Sequence, residues 1–256
     1  MITPHIFKCL ILGMTVLAVV VFVTLYFVTA GYGQFRTKHW GLSIDNRVAW
    51  TLMEAPVFLI MLAIWMGSPL QWALPQLTLF SLFQLHYIQR SFVFPWLMTG
   101  HSRMPLVIML MGMIFNVING LMQGGGLYWY PNPDFQEGAA YLTRWNALLG
   151  IALFLIGLLV NWHSDQVIRN LRQPGDTRHY LPQGGMYRYV TSANYFGEQM
   201  EWVGFALAAA TPVAWVFPLW TAANLVPRAH AIHKKYRMEF GDEAVGKRKR
   251  IIPFIY

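Results

Sequence analysis

Residues 148–165 read LLGIALFLIGLLVNWHSD, an apolar run that ends in polar and ionisable side chains. Charged groups near a bilayer centre cost very roughly 2.5 to 3.5 kcal/mol on insertion scales, so they usually face the protein interior or an aqueous cavity. Four residues at i, i+4, i+8 and i+11 share one face of this helix, namely Asn161, Asp165, Arg169 and Arg172. The stretch therefore predicts a membrane helix with one polar face that serves a function.

The next apolar block carries a similar polar face, with Asn194, Glu198 and Glu201 at i, i+4 and i+7. Arginine forks suit phosphate oxygens, while amide and carboxylate groups can hold the amide and ribose groups of a dinucleotide. The alternative is that Asp165 with Arg169, and Glu198 with a cytoplasmic arginine, are structural ion pairs at helix ends. No G-x-G-x-x-G motif follows a predicted strand, which argues against a Rossmann domain.

The whole chain has the composition of an integral membrane protein. Of its 256 residues, 56% are hydrophobic and 12% are charged. A helix needs about 20 residues to cross a hydrocarbon core of roughly 30 Å. We therefore predict an all-α, multi-pass membrane protein with one domain, residues 1–256, and seven transmembrane helices at about 6–30, 48–66, 72–98, 104–123, 146–168, 195–211 and 213–230. The last two meet at Thr211 and Pro212, so they form either a tight hairpin or one kinked helix.

Charge placement predicts the orientation. Basic residues follow spans 1, 3 and 5 and fill the C-terminal tail, so the N-terminus is expected outside and the C-terminus in the cytoplasm. The formal charge of +8 is then a topology signal, and no nucleic-acid partner is expected. The apolar stretch of residues 10–28 is too long for a signal peptide. The single cysteine, Cys9, excludes an intrachain disulfide, and no metal site is expected.

Two side chains within predicted spans could carry chemistry. Glu54 lies in span 2, where burial favours a neutral or hydrogen-bonded carboxyl. It could hold a proton or donate a hydrogen bond, or it could only stabilise the helix near Pro56. Tyr87 in span 3 could donate to an oxygen that develops negative charge, although membrane tyrosines often only pack.

Span 4 carries a stripe of small and polar residues, which could serve helix packing or cavity lining. The stripe consists of Gly112, Asn116, Asn119, Gly120 and Gln123. The glycines at 124–126 are expected to end this span and not to cradle a phosphate.

Several motifs occur in register from about residue 31 to the C-terminus. They are Gly31-Tyr32-Gly33, Ala49-Trp50 with Glu54 and Pro56, Leu85-His86-Tyr87, Asn161 with His163-Ser164-Asp165, Pro182-Gln183-Gly184-Gly185, Ala193-Asn194, and Ile252-Pro253-Phe254-Ile255-Tyr256. Together they resemble the steroid 5-alpha-reductase family, in a form of bacterial type.

The resemblance implies a seven-helix membrane oxidoreductase that uses NADPH. It would reduce the delta-4 double bond of a 3-oxo-delta-4-steroid to a 5-alpha-3-oxosteroid, with a hydride added at C5 and a proton at C4. Residues of about 1–125 would serve mainly the substrate and those of about 146–256 mainly the cofactor. Membrane lipids would be its other partners. The membrane would be the inner membrane of a bacterium or the endoplasmic reticulum of a eukaryote, and the sequence does not set the oligomeric state.

The family's site residues carry over onto matching positions. Glu54 and Tyr87 would be the catalytic pair that holds the substrate ketone, and Tyr32, Trp50 and Met53 would contact the substrate. The implied cofactor residues are Asn161, His163, Asp165, Arg169, Arg172, Arg178, Asn194, Glu198, Arg228, Tyr236 and Arg248. One of the arginines would contact the 2′-phosphate of NADPH, and the sequence leaves open which one does so.

Two departures from the family pattern affect these expectations. Met53 stands where vertebrate members carry Gln, which leaves the fine substrate specificity open. Residues 230–233 read HAIH and hold fewer histidines than the corresponding family segment.

The alternative functions are a related membrane reductase of another sterol or an enoyl thioester, a membrane methyltransferase, and a transporter.

Overall fold

The chain folds into a bundle of helices joined by turns and one two-stranded ribbon. The computed structural model describes residues 2–31, 33–35, 40–98, 102–171, 176 and 178–256. Its helices are α1 (Pro4–Phe27), α2 (Asn46–Met66), α3 (Leu74–Ile88), α4 (Phe94–Leu97), α5 (Leu106–Tyr128), α6 (Ala139–Leu142), α7 (Trp145–Arg169), α8 (Ala193–Ala209), α9 (Pro212–Phe240) and α10 (Asp242–Val245). The strands β1 (Ser43–Asp45) and β2 (Arg103–Pro105) pair antiparallel.

Local sequence explains where the helices begin. The side chains of Thr3 and Thr211 each accept a hydrogen bond from the backbone N–H three residues on. A proline, Pro4 or Pro212, follows each of them at the first helical position, where its missing N–H costs no helical bond. Asp45 caps α2, because its side chain accepts hydrogen bonds from the backbone N–H groups of Arg47 and Val48, at 2.9 and 3.3 Å.

Each predicted span corresponds to one or more helices in the described part of the chain. Four of these helices, α1, α2, α5 and α7, are long and apolar enough to span a membrane. By contrast, α3 and α8 have only 15 and 17 residues. Helix α9 has 29 residues, but its last third is basic. The structure therefore supports an all-α membrane protein, and membrane crossing by α3, α8 and α9 stays a prediction.

Two predicted boundaries and the continuity of one span were wrong. Helix α5 continues to Tyr128, so the glycines at 124–126 do not end it. They are buried inside α5, where a Cβ at Gly124 or Gly126 would lie within 2.7 Å of Ile64 or Val213. The third span is not one α-helix, because the π-helical segment Gln89–Val93 separates α3 from α4. The last span extends about ten residues further than expected, to the end of α9.

The last two long helices are separate. Ala210 ends α8 in the left-handed conformation, with φ of 49°, and Thr211 then caps α9. Of the two alternatives, the hairpin is confirmed. Two hydrogen bonds connect segments at the end of the bundle where α8 meets α9. The Tyr141 hydroxyl donates to the Ala208 carbonyl at 2.8 Å, and the Tyr130 hydroxyl donates to the Ile2 carbonyl at 2.7 Å.

The ribbon and a set of glycines bring α2 against α5. Strand β1 leads into α2 and β2 leads into α5, so the pairing fixes the two helix starts side by side. A Cβ at Gly112 would lie 2.5 Å from the Met53 sulfur, and one at Gly120 would lie 3.1 Å from Ile60. The glycines of the span 4 stripe therefore serve helix packing.

Helices α7 and α8 pack backbone to backbone through four glycines. A Cβ at Gly157 would lie 2.5 Å from the Glu201 nitrogen, and one at Gly197 would lie 2.5 Å from the Asn161 nitrogen. Gly150 and Gly204 make equivalent contacts one heptad away. Only small residues permit such close approach of helix backbones in a membrane. This contact places the polar face of α7 directly against that of α8.

We predict that Gly157→Ala and Gly197→Ala lower the thermal stability of the detergent-purified protein, because a methyl group must displace backbone atoms. Overpacking of this kind costs about 1 to 3 kcal/mol or more. The matched control is Gly13→Ala in α1, where a Cβ meets nothing within 4 Å. Its melting temperature should stay level or rise slightly, since Ala is favoured over Gly in helices by roughly 0.5 to 1 kcal/mol. Equal melting temperatures for all three variants would contradict the packing described for α7 and α8.

Candidate active site

Glu54 and Tyr87 each meet an asparagine of α5. The Asn116 side-chain amide donates to the Glu54 carboxyl at 3.0 Å and to the Met53 carbonyl at 2.8 Å. The Asn119 amide donates to the Tyr87 hydroxyl at 3.5 Å. Asn116 and Asn119 are three residues apart and so lie on one face of α5. The polar members of the span 4 stripe therefore orient the two side chains that the sequence singled out.

The alternatives for these two side chains can now be assessed. The hydrogen bond of Glu54 runs to another helix, so it does not serve the local stability of α2 near Pro56. Tyr87 is 2% exposed. Its ring packs against Phe83 and Trp202, so it does contribute to packing as well as accepting from Asn119.

Arg90 lies between the two polar regions, and the sequence analysis did not assign it to the site. Its guanidinium stacks on the rings of Trp50 at 4.5 Å and Phe94 at 4.7 Å. It also lies 4.0 Å from the Asp165 carboxylate and 3.9 Å from that of Glu198. Arg90 follows Tyr87 by three residues, within the π-helical segment, and that spacing is the signal that could have identified it.

Electrostatics links Arg90 to the Glu54 and Tyr87 region. Coulombic interactions connect Glu54 with Arg90 and with Glu198. Tyr87 also interacts electrostatically with Glu54, Glu198 and Arg90. Trp50 and Glu54 are one turn apart on α2, as Tyr87 and Arg90 are around the end of α3. The structure therefore brings together Trp50, Glu54, Tyr87 and Glu198, which lie on three different helices.

The predicted polar faces of α7 and α8 form one hydrogen-bond network. The Asn194 side-chain amide donates to Asp165 at 3.1 Å, and the Asn161 amide donates to the Asn194 carbonyl at 2.9 Å. The Tyr187 hydroxyl donates to the Asn194 side-chain oxygen at 3.4 Å. Tyr187 is 1% exposed, and the sequence analysis did not identify it, because it lies in a turn with no helical periodicity.

The pairing of His86 with Glu201 was also not predicted from the sequence. The imidazole Nδ1 of His86 and a carboxyl oxygen of Glu201 are 2.8 Å apart, and both side chains are almost fully buried. The His86 ring also meets Trp202 edge to face, at 4.6 Å between centroids. The signal was present in the sequence, since His86 precedes Tyr87 and Glu201 belongs to the polar face of α8. Their pairing could not be read from spacing, because 115 residues separate them.

A cavity of about 370 Å³ opens at the end of the bundle where α2 and α8 begin and α7 ends. Six predicted site residues line it, namely Trp50, Asp165, Arg169, Asn194, Arg228 and Tyr236. Arg90, Tyr187 and Ser192 line it as well. Glu54 and Tyr87 are not among the lining residues and lie one turn deeper than Trp50 and Arg90. The cavity therefore collects cationic, amide and carboxylate groups from five segments at one end of the fold.

Two buried oxygens near the cavity have no hydrogen-bond partner among the described residues. One is the Asp165 Oδ2 atom and the other is the Ser192 hydroxyl. Both residues line the cavity. Buried polar atoms are nearly always paired, so these two are candidates for contact with a polar ligand. Arg228 adds a guanidinium that donates to the Tyr195 hydroxyl at 3.0 Å.

Eight of the predicted site residues that the structure describes do not line the cavity. They are Glu54, Tyr87, Asn161 and Glu198, described above, and the four that follow. Arg178 is exposed and pairs with Asp176, and that guanidinium is the main reason that the pKa of Asp176 lies below its usual value. Arg248 donates to the carbonyls of Pro182 and Ala244 at 3.0 and 2.8 Å. The other two pack against glycines, His163 against Gly185 and Met53 against Gly112.

Arg248 nevertheless has a positional role, because Pro182 lines the cavity. Helix α7 ends at Arg169, so the shared face predicted for four residues is helical only up to that point. Tyr32 and Arg172 lie outside the described residues.

Comparison with known proteins places the chain in a family. A family model described as 3-oxo-5-alpha-steroid 4-dehydrogenase matches residues 102–256. The chain is 39% identical over 249 residues to 3-oxo-5-alpha-steroid 4-dehydrogenase 1 of Bos taurus, with 93% of each chain covered. It is 32% identical over 254 residues to steroid 5-alpha-reductase DET2 of Gossypium hirsutum, with 98% of this chain and 97% of the relative covered. The resemblance seen in the motifs is therefore confirmed, and the chain belongs to the 3-oxo-5-alpha-steroid 4-dehydrogenase, or steroid 5-alpha-reductase, family of oxidoreductases.

Proposed function

We propose that the protein reduces the delta-4 double bond of 3-oxo-delta-4-steroids with NADPH and yields 5-alpha-3-oxosteroids. The observation that carries the proposal is the convergence of Glu54 and Tyr87, each held by an asparagine of α5, near Arg90, which lines the cavity. The relatives' names supply the substrate class. The geometry supplies groups that suit the chemistry of an enone.

Reduction of an enone builds up negative charge on its ketone oxygen. When a hydride adds at C5, electron density moves through the conjugated system to the C3 oxygen, and C4 then takes a proton. A tyrosine hydroxyl and a protonated carboxyl can both donate to that oxygen. Donors that are already oriented stabilise the developing charge without reorganising. Asn116 and Asn119 hold Glu54 and Tyr87 in place for this task.

The residues around the cavity suit a phosphorylated dinucleotide. Asp165 and Asn194 would hold its amide and ribose groups, because both line the cavity and the buried Asp165 Oδ2 atom has no hydrogen-bond partner among the described residues. Arg169 and Arg228 would hold its phosphates, since guanidinium groups bind phosphate oxygens through two parallel hydrogen bonds. The bound cofactor would supply the hydride.

The remaining predicted cofactor residues would contribute more indirectly. Asn161 fixes Asn194 through a hydrogen bond to its carbonyl, and Arg248 holds the loop at Pro182. Tyr236 lines the cavity. Glu198 lies near the Arg90 guanidinium. Arg178 is bonded to Asp176, so its contact with a 2′-phosphate would require this ion pair to open.

Arg90 would join the two halves of the site. Its guanidinium offsets the charges of Asp165 and Glu198 on the cofactor side and stacks on Trp50 on the substrate side. Trp50 and Tyr32 would face the steroid, and Met53, whose side chain packs against Gly112, would influence specificity. The chain would thus use residues of about 1–125 for the substrate and those of about 146–256 for the cofactor.

We also propose that seven helices cross the membrane, with the N-terminus outside and the cavity end in the cytoplasm. The alternating basic loops support this orientation. Cysteine labels placed at Arg178 and Lys247 in a Cys9-free protein should react from the cytoplasm, and one at Asp134 should react from the other side. All three positions are exposed or part-exposed in the structure. Labelling of all three from one side would rule out the seven-helix topology.

The catalytic proposal predicts a large loss of turnover without a loss of cofactor binding. Tyr87→Phe should reduce kcat by on the order of 100-fold to 1000-fold, the usual effect of removing one oxyanion donor. Glu54→Gln should reduce kcat less than Glu54→Ala does, because an amide still donates a hydrogen bond. The double variant should lose less than the product of the single losses, since both groups act on one oxygen.

The measurements are steady-state steroid reduction and NADPH affinity by fluorescence. The matched control is Tyr141→Phe, which removes an equally buried hydroxyl that donates to a carbonyl at the opposite end of the bundle. It should leave kcat nearly unchanged. Steroid reduction at the unmodified rate by the Tyr87→Phe and Glu54→Ala double variant would refute the site assignment.

A further inference from the structure

A second, basic pocket lies where the end of α9 meets the C-terminal tail. Four of its residues stand at i, i+3, i+4 and i+7 on one face of α9, and Arg250 of the tail completes the set. The four are His230, His233, Lys234 and Arg237. The pocket has a volume of about 340 Å³. None of its residues lines the larger cavity, so the two sites are distinct.

The charge of this pocket is poorly balanced. Among the described residues, Asp242 is the one acidic residue that lines it, and its carboxylate is already bonded to Arg237. Burial, together with the nearby guanidinium groups of Arg250 and Arg237, lowers the pKa of His233 below its usual value. The Arg250 Nε atom is buried without a hydrogen-bond partner among the described residues, although its guanidinium stacks on the Tyr256 ring at 4.6 Å. Such a pocket favours an anion with several acceptor oxygens.

The pocket lies at the level where α1 would leave the membrane. Tyr26, the second-last residue of α1, meets the His230 ring edge to face and shares a hydrogen bond of 3.0 Å with the Tyr256 hydroxyl. Helix α9 has 29 residues and is about 43 Å long at 1.5 Å per residue, so its basic last third extends past a hydrocarbon core of roughly 30 Å.

Exposed apolar side chains occur in the pocket lining and in the C-terminal tail that follows Arg250. Met238 lines it and is 72% exposed, while Phe254 and Ile255 in the adjoining tail are 77% and 75% exposed. Exposed apolar groups beside clustered cations are typical of segments that lie in the headgroup region of a membrane. A soluble phosphate would make no use of these apolar groups, whereas the chains of a lipid would cover them.

We propose that the pocket between α9 and the C-terminal tail binds the phosphate group of an anionic membrane phospholipid. Lys234, Arg237 and Arg250 would contact the phosphate oxygens. Phe254 and Ile255 would lie among the upper parts of the acyl chains. The bound lipid would join the end of α1, the end of α9 and the tail at the membrane surface.

The test is native mass spectrometry of the full-length protein in a neutral detergent, with phosphatidylglycerol or phosphatidylcholine added. The unmodified protein should retain phosphatidylglycerol at least about tenfold more tightly than phosphatidylcholine. The Lys234→Gln, Arg250→Gln variant should lose about tenfold or more of its phosphatidylglycerol affinity. An excess of inorganic phosphate should not displace the lipid.

The matched control is Lys247→Gln, Lys249→Gln, which removes the same charge from exposed positions of the same tail. It should change the affinity less than about threefold, because these side chains do not line the pocket. Lys234→Gln alone, at an exposed position, gives a readout if the double variant proves unstable. Equal losses for the two double variants, no preference for phosphatidylglycerol, or displacement of the lipid by phosphate would each overturn the proposal. The readout is lipid binding, so its failure is independent of steroid reduction.

Discussion

The backbone contact between α7 and α8 is the constraint on which the site depends. Glycines on each helix face the backbone of the other, and a Cβ at Gly157 or Gly197 would come within 2.5 Å of a main-chain nitrogen. At this separation Asn161 reaches the Asn194 carbonyl, and Asn194 reaches Asp165. Larger residues would move the two polar faces apart and leave buried polar groups unpaired, which is costly in an apolar environment.

The same logic operates on the other side of the fold, where glycines of α5 admit α2 and asparagines of the same helix hold Glu54 and Tyr87. Arg90 then connects the two polar regions. The Arg90 guanidinium lies beside the Asp165 and Glu198 carboxylates and also contacts the rings of Trp50 and Phe94. Protein contacts thus orient Glu54, Tyr87 and Arg90, and oriented polar groups are the ones that stabilise a developing charge most effectively.

The sequence predicted the helices and much of the polar network, because apolar length and the i, i+4 spacing are local properties. Asp165 and Asn194 were identified in this way, and they do lie together. Contacts between distant segments were not predictable. The position of Arg90 depends on a π-helical segment, and the pairing of His86 with Glu201 depends on how α3 packs against α8. The glycines at 124–126 were misread as a helix end, because glycine marks both helix ends and close helix packing, and only the neighbouring helices decide which applies.

The measurement that tests the central claim most directly follows the transferred hydrogen. The purified protein would be incubated with testosterone and NADPH deuterated at the transferable position, and in parallel with the equivalent NADH. Mass spectrometry and NMR would locate the deuterium in the product. The account predicts one deuterium at C5 of a 5-alpha-reduced 3-oxosteroid, formed much faster with NADPH than with NADH. Deuterium at C3, as expected from reduction of the ketone, or the absence of any reduced steroid would contradict it.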